Sequence, residues 1–162
     1  MTGLGYSVNF GSAGEQLTHH VAVKRINQMI VKQPQNVDLH VSLALHYHEL
    51  DKHREAVGAY EEAMTLDPER AVVLNNLAWL LVTSSDEGLQ DRERGLKLAK
   101  KAVVLERSAT FLDTLAEAYF VNGLVEEATM AAREALSLAK EMKGYYRRQL
   151  EKFISATEKT HS

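Results

Sequence analysis

The sequence predicts an all-α fold in which helices pair into hairpins and the hairpins stack on one another. Three observations lead to this prediction. The 162-residue chain contains two prolines and few glycines after its glycine-rich start, which leaves little room for a turn-rich β architecture. Hydrophobic residues, 45% of the chain, recur mostly at helical spacing. The small residues of one helix pair also return about 34 residues further on, which indicates a stack of similar units.

The clearest unit spans residues 37–70 and consists of two helices. Its small and bulky residues stand where an antiparallel helix pair needs them, namely at His40, Leu43, Ala44, Tyr47, Ala56, Tyr60, Ala63 and Leu66. Ala44 is small where the two helices approach each other, and Ala56 and Ala63 are small where the second helix meets the next hairpin. Asp67 and Pro68 end the second helix, because the residue before a proline is disfavoured in the helical conformation.

This spacing resembles the tetratricopeptide repeat, in which an aromatic residue, a Leu-small pair and a second aromatic are followed by Ala-x3-aromatic and proline. The resemblance covers residues 16–156. It implies a right-handed superhelical solenoid of antiparallel helix hairpins, about eight helices long, with a concave and a convex face.

The repeat divides the chain into six segments. They are an extended or disordered N-terminal arm (1–14), a leading helix that is a partial repeat (15–34), a first repeat (37–70), a second repeat (71–107) with an inserted loop (83–91), a third repeat (109–141) and a C-terminal capping helix (143–158). The capping helix has one apolar stripe and is otherwise charged, which suits a helix that covers the open end of a stack.

The N-terminal arm has a different pattern from the rest of the chain. Leu4, Tyr6, Val8 and Phe10 alternate with small or polar residues, which is the period of an extended strand. Two interpretations remain open. The arm is either a leader without fixed structure, or it packs in a groove of its own helices or of a neighbouring molecule.

The second repeat carries an insertion between its two helices. Gly95, Ala99 and Ala102 stand 39 residues, not 34, after their counterparts in the first repeat. The inserted sequence has loop composition, and Asp91 is placed to cap the helix that follows. Gly95 is expected to allow very close contact between the two helices.

Few residues suggest catalysis or metal binding. The chain has no cysteine, and no two of its seven histidines are spaced four residues apart. We interpret His40 as an aromatic-like filler of its hairpin and the other histidines as exposed. Ser84 and Ser85 have no histidine nearby in the sequence. We therefore expect a protein that is not an enzyme and holds no cofactor or metal.

Charge and hydropathy limit the classes of partner. A formal net charge of −3 gives no general attraction to nucleic acid or anionic lipid. The basic run from Arg92 to Lys101 is interrupted by Glu93 and lacks interleaved aromatics, so we interpret it as a solvated convex face. No apolar run has transmembrane length, and no signal peptide is visible. We expect no nucleic acid partner, no membrane insertion of this fragment and a cytoplasmic location by default, unless the chain is an excised domain of an exported or membrane-anchored protein.

The resemblance implies that partners bind in a concave groove lined by the first helix of each hairpin. Carried over position by position, the groove residues are Val41, Leu45, His48, Asn75, Asn76, Trp79, Asp113, Glu117 and Phe120. Trp79 is the strongest candidate, because a tryptophan offers a large flat surface and an N–H donor. The alternative is that it packs between hairpins. Asp113 and Glu117 predict a preference for apolar or basic peptides.

Some members of the family clamp the C-terminal carboxylate of chaperone tails, and this clamp is not expected here. Asn76 matches one clamp asparagine. However, Val41 and Leu45 stand where a lysine and an asparagine are needed, and Thr110 and Thr114 replace basic residues.

Three functions remain as hypotheses. The leading one is a protein–protein interaction scaffold that holds an extended or helical segment of a partner, or of another copy of itself, in the concave groove. The second is a self-association module that uses the N-terminal arm or the ends of the solenoid. The third and least supported is an RNA-binding helical repeat.

Overall fold

The computed structural model describes residues 13–160, and this part of the chain forms eight α-helices. They are α1 (Ala13–Lys32), α2 (Val37–Glu49), α3 (His53–Leu66), α4 (Ala71–Thr83), α5 (Arg92–Leu105), α6 (Ala109–Val121), α7 (Val125–Leu138) and α8 (Lys143–Thr160). No strand occurs among residues 13–160. The predicted all-α fold of about eight helices is therefore confirmed. The predicted arm lies outside the described residues as far as Ser12, and its two interpretations stay open.

The helices form three antiparallel hairpins, α2–α3, α4–α5 and α6–α7, with α1 before them and α8 after them. Small side chains lie where helices cross. The fully or almost fully buried alanines are Ala44, Ala56, Ala63, Ala78, Ala99, Ala102, Ala116, Ala118, Ala128, Ala132 and Ala135. Because an alanine lets two helix backbones approach, these positions fix how the hairpins interlock. Large residues such as Tyr60, Leu77 and Leu112 fill the space between them.

Polar caps and prolines set the helix ends. The Asn36 side chain accepts a hydrogen bond from the N–H of Asp38 and caps α2 (3.1 Å). The Ser108 hydroxyl caps α6 in the same way by accepting from the N–H of Phe111 (3.3 Å). Helix α3 ends at Leu66, directly before the Asp-Pro pair, as the sequence predicts.

Two of the hairpins close with a tight turn that needs a residue in the left-handed conformation. Gly123 takes this position between α6 and α7 with φ +78°, and Asp51 takes it between α2 and α3 with φ 56°. Glycine adopts the left-handed region without steric cost, whereas aspartate tolerates it at some cost.

The predicted insertion replaces the tight turn in the second hairpin. Ser84 is buried at the start of the loop, and its hydroxyl accepts a hydrogen bond from the N–H of Asp86 (3.2 Å). Arg54 of the preceding hairpin donates to the Asp86 carboxylate (2.9 Å). The Asp91 side chain accepts from the N–H of Arg94 (3.0 Å), which confirms it as the cap of α5.

Gly95 lies at a very close contact between α4 and α5. A Cβ added at this glycine would lie 2.4 Å from Cγ1 of Val82 and 3.3 Å from the carbonyl oxygen of Ala78. The prediction that Gly95 allows close helix contact is confirmed, and any side chain there would push the helices apart or displace Val82.

The two outer helices pack on the ends of the stack. Helix α8 contacts α7 and α6, and it buries Phe153 completely. Helix α1 packs on α2 through Ile26 and its neighbours, and it leaves Leu17 and Val21 exposed. Of the helices in residues 13–160, none combines the length and apolarity needed to cross a bilayer.

Candidate partner-binding face

Helix α4 shows which side of the stack is open. After its first residue, the positions that keep solvent exposure form one stripe: Val72, Asn76, Trp79 and Thr83. Their spacing of four, three and four residues places them on one side of the helix. The other sides of α4 pack against α3, α5 and α6.

The equivalent positions are open on the other first helices, and together they form a grid that we call the concave face. Each row contains one residue from each of α2, α4, α6 and α8, and we name it after its α4 residue. The Val72 row is Asp38, Val72, Thr110 and Gly144, and the Asn76 row is Ser42, Asn76, Thr114 and Arg148. The Trp79 row is Leu45, Trp79, Glu117 and Glu151, and the Thr83 row is Glu49, Thr83, Val121 and Ser155. Apart from buried Thr114, every one of these residues keeps some exposure.

An apolar patch lies at the α2–α4 end of the concave face. Leu45 is 38% exposed and Val72 is 37% exposed, and Trp79 is partly exposed. The partial exposure of Trp79 is compatible with a role in binding and with packing between hairpins, so both interpretations stay open. Exposed apolar groups that share a surface are a common mark of an interaction site. The roles of Leu45 and Trp79 in binding stay predictions.

Two predicted groove residues do not lie on the concave face. Val41 is 9% exposed and Asn75 is 3% exposed, so neither can contact a partner, and the prediction is wrong at both positions. Val41 precedes Ser42 and Asn75 precedes Asn76, the two members of the Asn76 row on α2 and α4. A shift of one residue turns a side chain by about 100° around the helix, away from the concave face. The Asn75 amide donates to Oδ1 of Asn76 (3.2 Å), while its own buried Oδ1 has no partner among the described residues.

Asn76 lies on the concave face, and its side chain is hydrogen-bonded to a residue of α3. Its amide donates to the hydroxyl of Tyr60 at 3.1 Å. Burial raises the pKa of Tyr60 to about 12, and the hydrogen bond from Asn76 opposes this shift in part. The amide therefore has a fixed orientation, which is what a partner's backbone needs in order to pair with it.

Asp113 and Glu117, the predicted acidic end of the groove, are both held by α8. The hydroxyl of Tyr145 donates to Oδ2 of Asp113 at 2.7 Å. The ammonium group of Lys152 donates to both carboxylate oxygens of Glu117, at 2.9 and 2.7 Å. Burial raises the pKa of Asp113 to about 6, although the hydrogen bond from Tyr145 lowers it. These acids are already paired, so they no longer support a preference for basic peptides.

Phe120 also faces α8. The ring of Phe120 packs against the ring of Phe153 with 5.3 Å between the ring centroids. The ammonium group of Lys152 lies 4.9 Å from the centroid of the Phe120 ring. Phe120 is half-buried in this contact and lies outside the four rows. This contact helps to hold the capping helix, and the role of Phe120 in the groove stays a prediction.

His48 lies near the ends of α2 and α3, outside the four rows. Its ring stacks on His53 at 5.5 Å, and its Nδ1 is buried without a hydrogen-bond partner among the described residues. Burial, followed by the charge of His53, lowers the pKa of His48. His46 contacts His19 with the two Nδ1 atoms 2.9 Å apart. The prediction that all histidines except His40 are exposed is therefore wrong for these four residues, which are half-buried.

His40 itself is buried, as predicted, and its Nε2 lies 2.8 Å from the carbonyl oxygen of Pro34. Among residues 13–160, no group of three or more His, Cys, Asp or Glu side chains converges on a point where a metal ion could bind.

Helix α8 adds residues to the concave face that the sequence reasoning missed. At a shift of 34 residues from α6, buried Tyr146 corresponds to Leu112 and partly buried Leu150 to Ala116, whereas Arg148 and Lys152 are exposed where Thr114 and Ala118 are buried. Arg148 stands at the Asn76-row position of α8, and exposed Arg147 directly precedes it. The sequence signal for this placement is weak, since Gln149 and Leu150 stand where the other first helices carry a leucine followed by an alanine.

The opposite side of the stack has a cleft of its own. A cavity of about 420 Å³ opens between α5 and α7, with α6 as its floor. Val104 and Met130 stand at its walls and are strongly exposed. The basic run at the start of α5 lies largely in contacts with the protein, for example between Arg94 and Glu61 (2.8 Å).

Comparison with solved structures gives the same fold at low sequence identity. The first TPR domain of Spaghetti (RPAP3), bound to the HSP90 peptide SRMEEVD, has a TM-score of 0.66 and 22% identity, over 76% of this chain and 94% of that chain. The Sgt2 TPR domain from Aspergillus fumigatus has a TM-score of 0.66 and 18% identity, over 77% and 81% of the two chains. TTC0263, a TPR protein of Thermus thermophilus, has a TM-score of 0.66 and 16% identity, over 86% and 76%.

No family model and no curated protein sequence matches the chain. The fold therefore rests on the structural similarity and on the repeat pattern, which agree. Both identify a solenoid of antiparallel helix hairpins with the tetratricopeptide-repeat fold.

Proposed function

We propose that this protein is a non-enzymatic interaction scaffold whose concave face binds an extended or helical segment of a partner protein. The observation that carries the proposal is the apolar patch of Leu45, Val72 and Trp79. Leu45 and Val72 stay exposed and Trp79 stays partly exposed, on a helix layer whose other sides are almost completely buried. An exposed apolar surface beside fixed polar groups such as Asn76 suits a peptide, which offers side chains and backbone donors together.

The solved structures support the proposal at the level of the fold. The RPAP3 domain is described with a bound HSP90 peptide, which shows that a solenoid of this architecture can hold a peptide. The residues of a carboxylate clamp are not carried over, since Val41 is buried and Leu45 is apolar. We therefore propose a different recognition chemistry, with the apolar patch as anchor.

Self-association is the second candidate, and exposed apolar residues on α1 favour it. Leu17 is 65% exposed and Val21 is 60% exposed, on a face of α1 that no helix covers among residues 13–160. A second copy could cover this end of the solenoid. This arrangement would leave the concave face available, so the two functions are separable.

Peptide selection and titration test the leading proposal. Peptides would be selected from a random phage-displayed library on the immobilised protein and then made synthetically. Because Trp79 is the single tryptophan of the chain, its fluorescence reports directly on the concave face. Calorimetric titration would compare the wild type with Trp79→Ala and Leu45→Ala. Val104→Ala on the opposite side, where the residue is also apolar and exposed, is the matched control.

We expect the selected peptides to change the fluorescence of Trp79 and to bind Trp79→Ala at least about tenfold more weakly, since a central aromatic anchor typically contributes about 2 kcal/mol or more. The Val104→Ala protein should bind like the wild type. Equal binding by wild type and Trp79→Ala would refute the proposal. Light scattering on the same samples distinguishes the second candidate, which predicts dimers or larger species that Leu17→Ser with Val21→Ser disrupts.

A further inference from the structure

The ends of the concave face differ in charge, and this difference limits the partner further. At the α2 end, Glu49 is exposed and the carboxylate of Asp38 is paired with Arg70. In the middle, α6 presents Glu117, but Lys152 neutralises it. At the far end, α8 carries Arg147 and Arg148, and the exposed acid Glu151 follows one turn after Arg148.

We propose that the α8 end of the concave face binds an acidic residue of the partner segment whose apolar residue occupies the patch at Trp79. This inference rests on the proposed function and adds to it the charge and spacing of the segment. The carrying observation is that Arg147 and Arg148 are both exposed and form no ion pair among the described residues. Lys140 and Lys143, just before them, are also exposed and without an ion pair there.

The guanidinium group of Arg148 has room to act at this position. A Cβ added to Gly144, one turn earlier, would lie 3.7 Å from Nη1 of Arg148, so the guanidinium lies over the glycine toward the start of α8. The N-terminal end of a helix carries partial positive charge from its free N–H groups, which adds to the attraction for a carboxylate. Arginine can also grip a carboxylate with two parallel hydrogen bonds.

Glu151, an acid on α8 close to Arg148, limits where an acidic residue of the partner can bind. Glu151 is exposed and stands in the Trp79 row, one turn after Arg148. A carboxylate in the Trp79 row would be repelled at this end of the face. The Asn76 row, which ends in Arg148 and contains no acid, is the favourable path.

Solenoid geometry sets the spacing. Trp79 on α4 and Arg148 on α8 belong to first helices that are two steps apart, and packed helices lie about 8–10 Å apart. Because α8 packs mainly on α7 and only sparsely on α6, the two side chains are separated by at least roughly 16–20 Å, which an extended chain spans in about five or six residues or more. The occupant is therefore a segment with an apolar residue and an acidic residue at this separation.

Three series of synthetic peptides test the inference. All carry leucine or phenylalanine as the apolar residue, with Asp, Asn or Lys about six residues away in either direction, in an otherwise neutral sequence. Affinities would be measured by Trp79 fluorescence and calorimetry for the wild type, Arg148→Ala and Arg148→Glu. Arg133→Ala is the matched control, since Arg133 is an exposed arginine on α7 without an ion pair among the described residues.

We expect the Asp peptides to bind about two- to fivefold more tightly than the Lys peptides, since a solvent-exposed ion pair contributes up to about 1 kcal/mol. Arg148→Ala should remove this difference, Arg148→Glu should reverse it, and Arg133→Ala should preserve it. Raising the salt concentration should also reduce it.

Two results would overturn the inference, and the first of them leaves the proposed function intact. In the first result, the wild type binds all three series equally, and Trp79→Ala abolishes this binding. The other is tighter binding of oligothymidylate than of the Asp peptides, lost in Arg148→Ala, which would assign the arginines to nucleic acid. Absence of binding in every series would count against both the inference and the proposed function.

Discussion

Replacing Gly95 by alanine tests how closely α4 and α5 approach. The new Cβ would lie 2.4 Å from Cγ1 of Val82, where ordinary carbon contacts begin at 3.4 Å, so the overlap is about 1 Å. Overpacking of a well-packed contact typically costs about 1–3 kcal/mol. Alanine recovers at most about 1 kcal/mol through its higher helix propensity. We expect Gly95→Ala to lower the free energy of unfolding by about 1–2 kcal/mol.

Urea unfolding, followed by circular dichroism and by the fluorescence of Trp79, measures this change. Gly58→Ala on α3 is the matched control, because a Cβ there meets nothing within 4 Å. Gly58→Ala should therefore stabilise the protein by up to about 1 kcal/mol. Adding Val82→Ala to Gly95→Ala should recover part of the loss, because the two side chains compete for the same space. If Gly95→Ala were as stable as Gly58→Ala, the close contact between the helices would be refuted.

Three further predictions concern the turns and the attachment of α8. Asp51→Gly should raise the free energy of unfolding by up to about 1 kcal/mol in urea unfolding, because glycine removes the cost of the left-handed conformation; unchanged stability would mean that the turn is unstrained. The pKa of Asp113 is raised from 3.8 to about 6, so the folded protein binds the extra proton between these values and stability falls as pH rises through that window. Asp113→Asn should remove this fall and be more stable above pH 6, by up to about 3 kcal/mol, in thermal unfolding across pH; parallel curves for the two proteins would contradict this. Lys152→Ala should lower stability by about 1 kcal/mol, less at high salt, since it removes an ion pair to α6 and the contact with two phenylalanine rings; an unchanged urea midpoint would exclude that role.

The fold could be predicted because its determinants are local and repeated. Ala44, Ala56 and Ala63 lie where helices cross, and an equivalent crossing occurs in every hairpin. The repeat of about 34 residues therefore specifies the architecture. Asp91 and the inserted loop were also predictable, since a capping side chain bonds to a backbone group only a few residues away.

The site was only partly predictable, because its details depend on contacts between distant residues. Val41 and Asn75 differ from the open positions by one residue, which turns them by about 100° toward the next hairpin. The pairing of Asp113 with Tyr145 joins α6 to α8, two helices that are not adjacent along the chain. The contact between His19 and His46 likewise joins two helices whose separation along the chain hides it.

The indole N–H signal of Trp79 in a two-dimensional NMR spectrum tests the central claim most directly, since the chain has one tryptophan and hence one such signal. Addition of a selected peptide should shift or broaden this signal in a saturable way, together with amides of α2 and α4. The amides along the cleft between α5 and α7 should stay unchanged. An unmoved indole signal, with the shifts confined to α5 and α7, would show that partners bind the opposite side and would contradict the account.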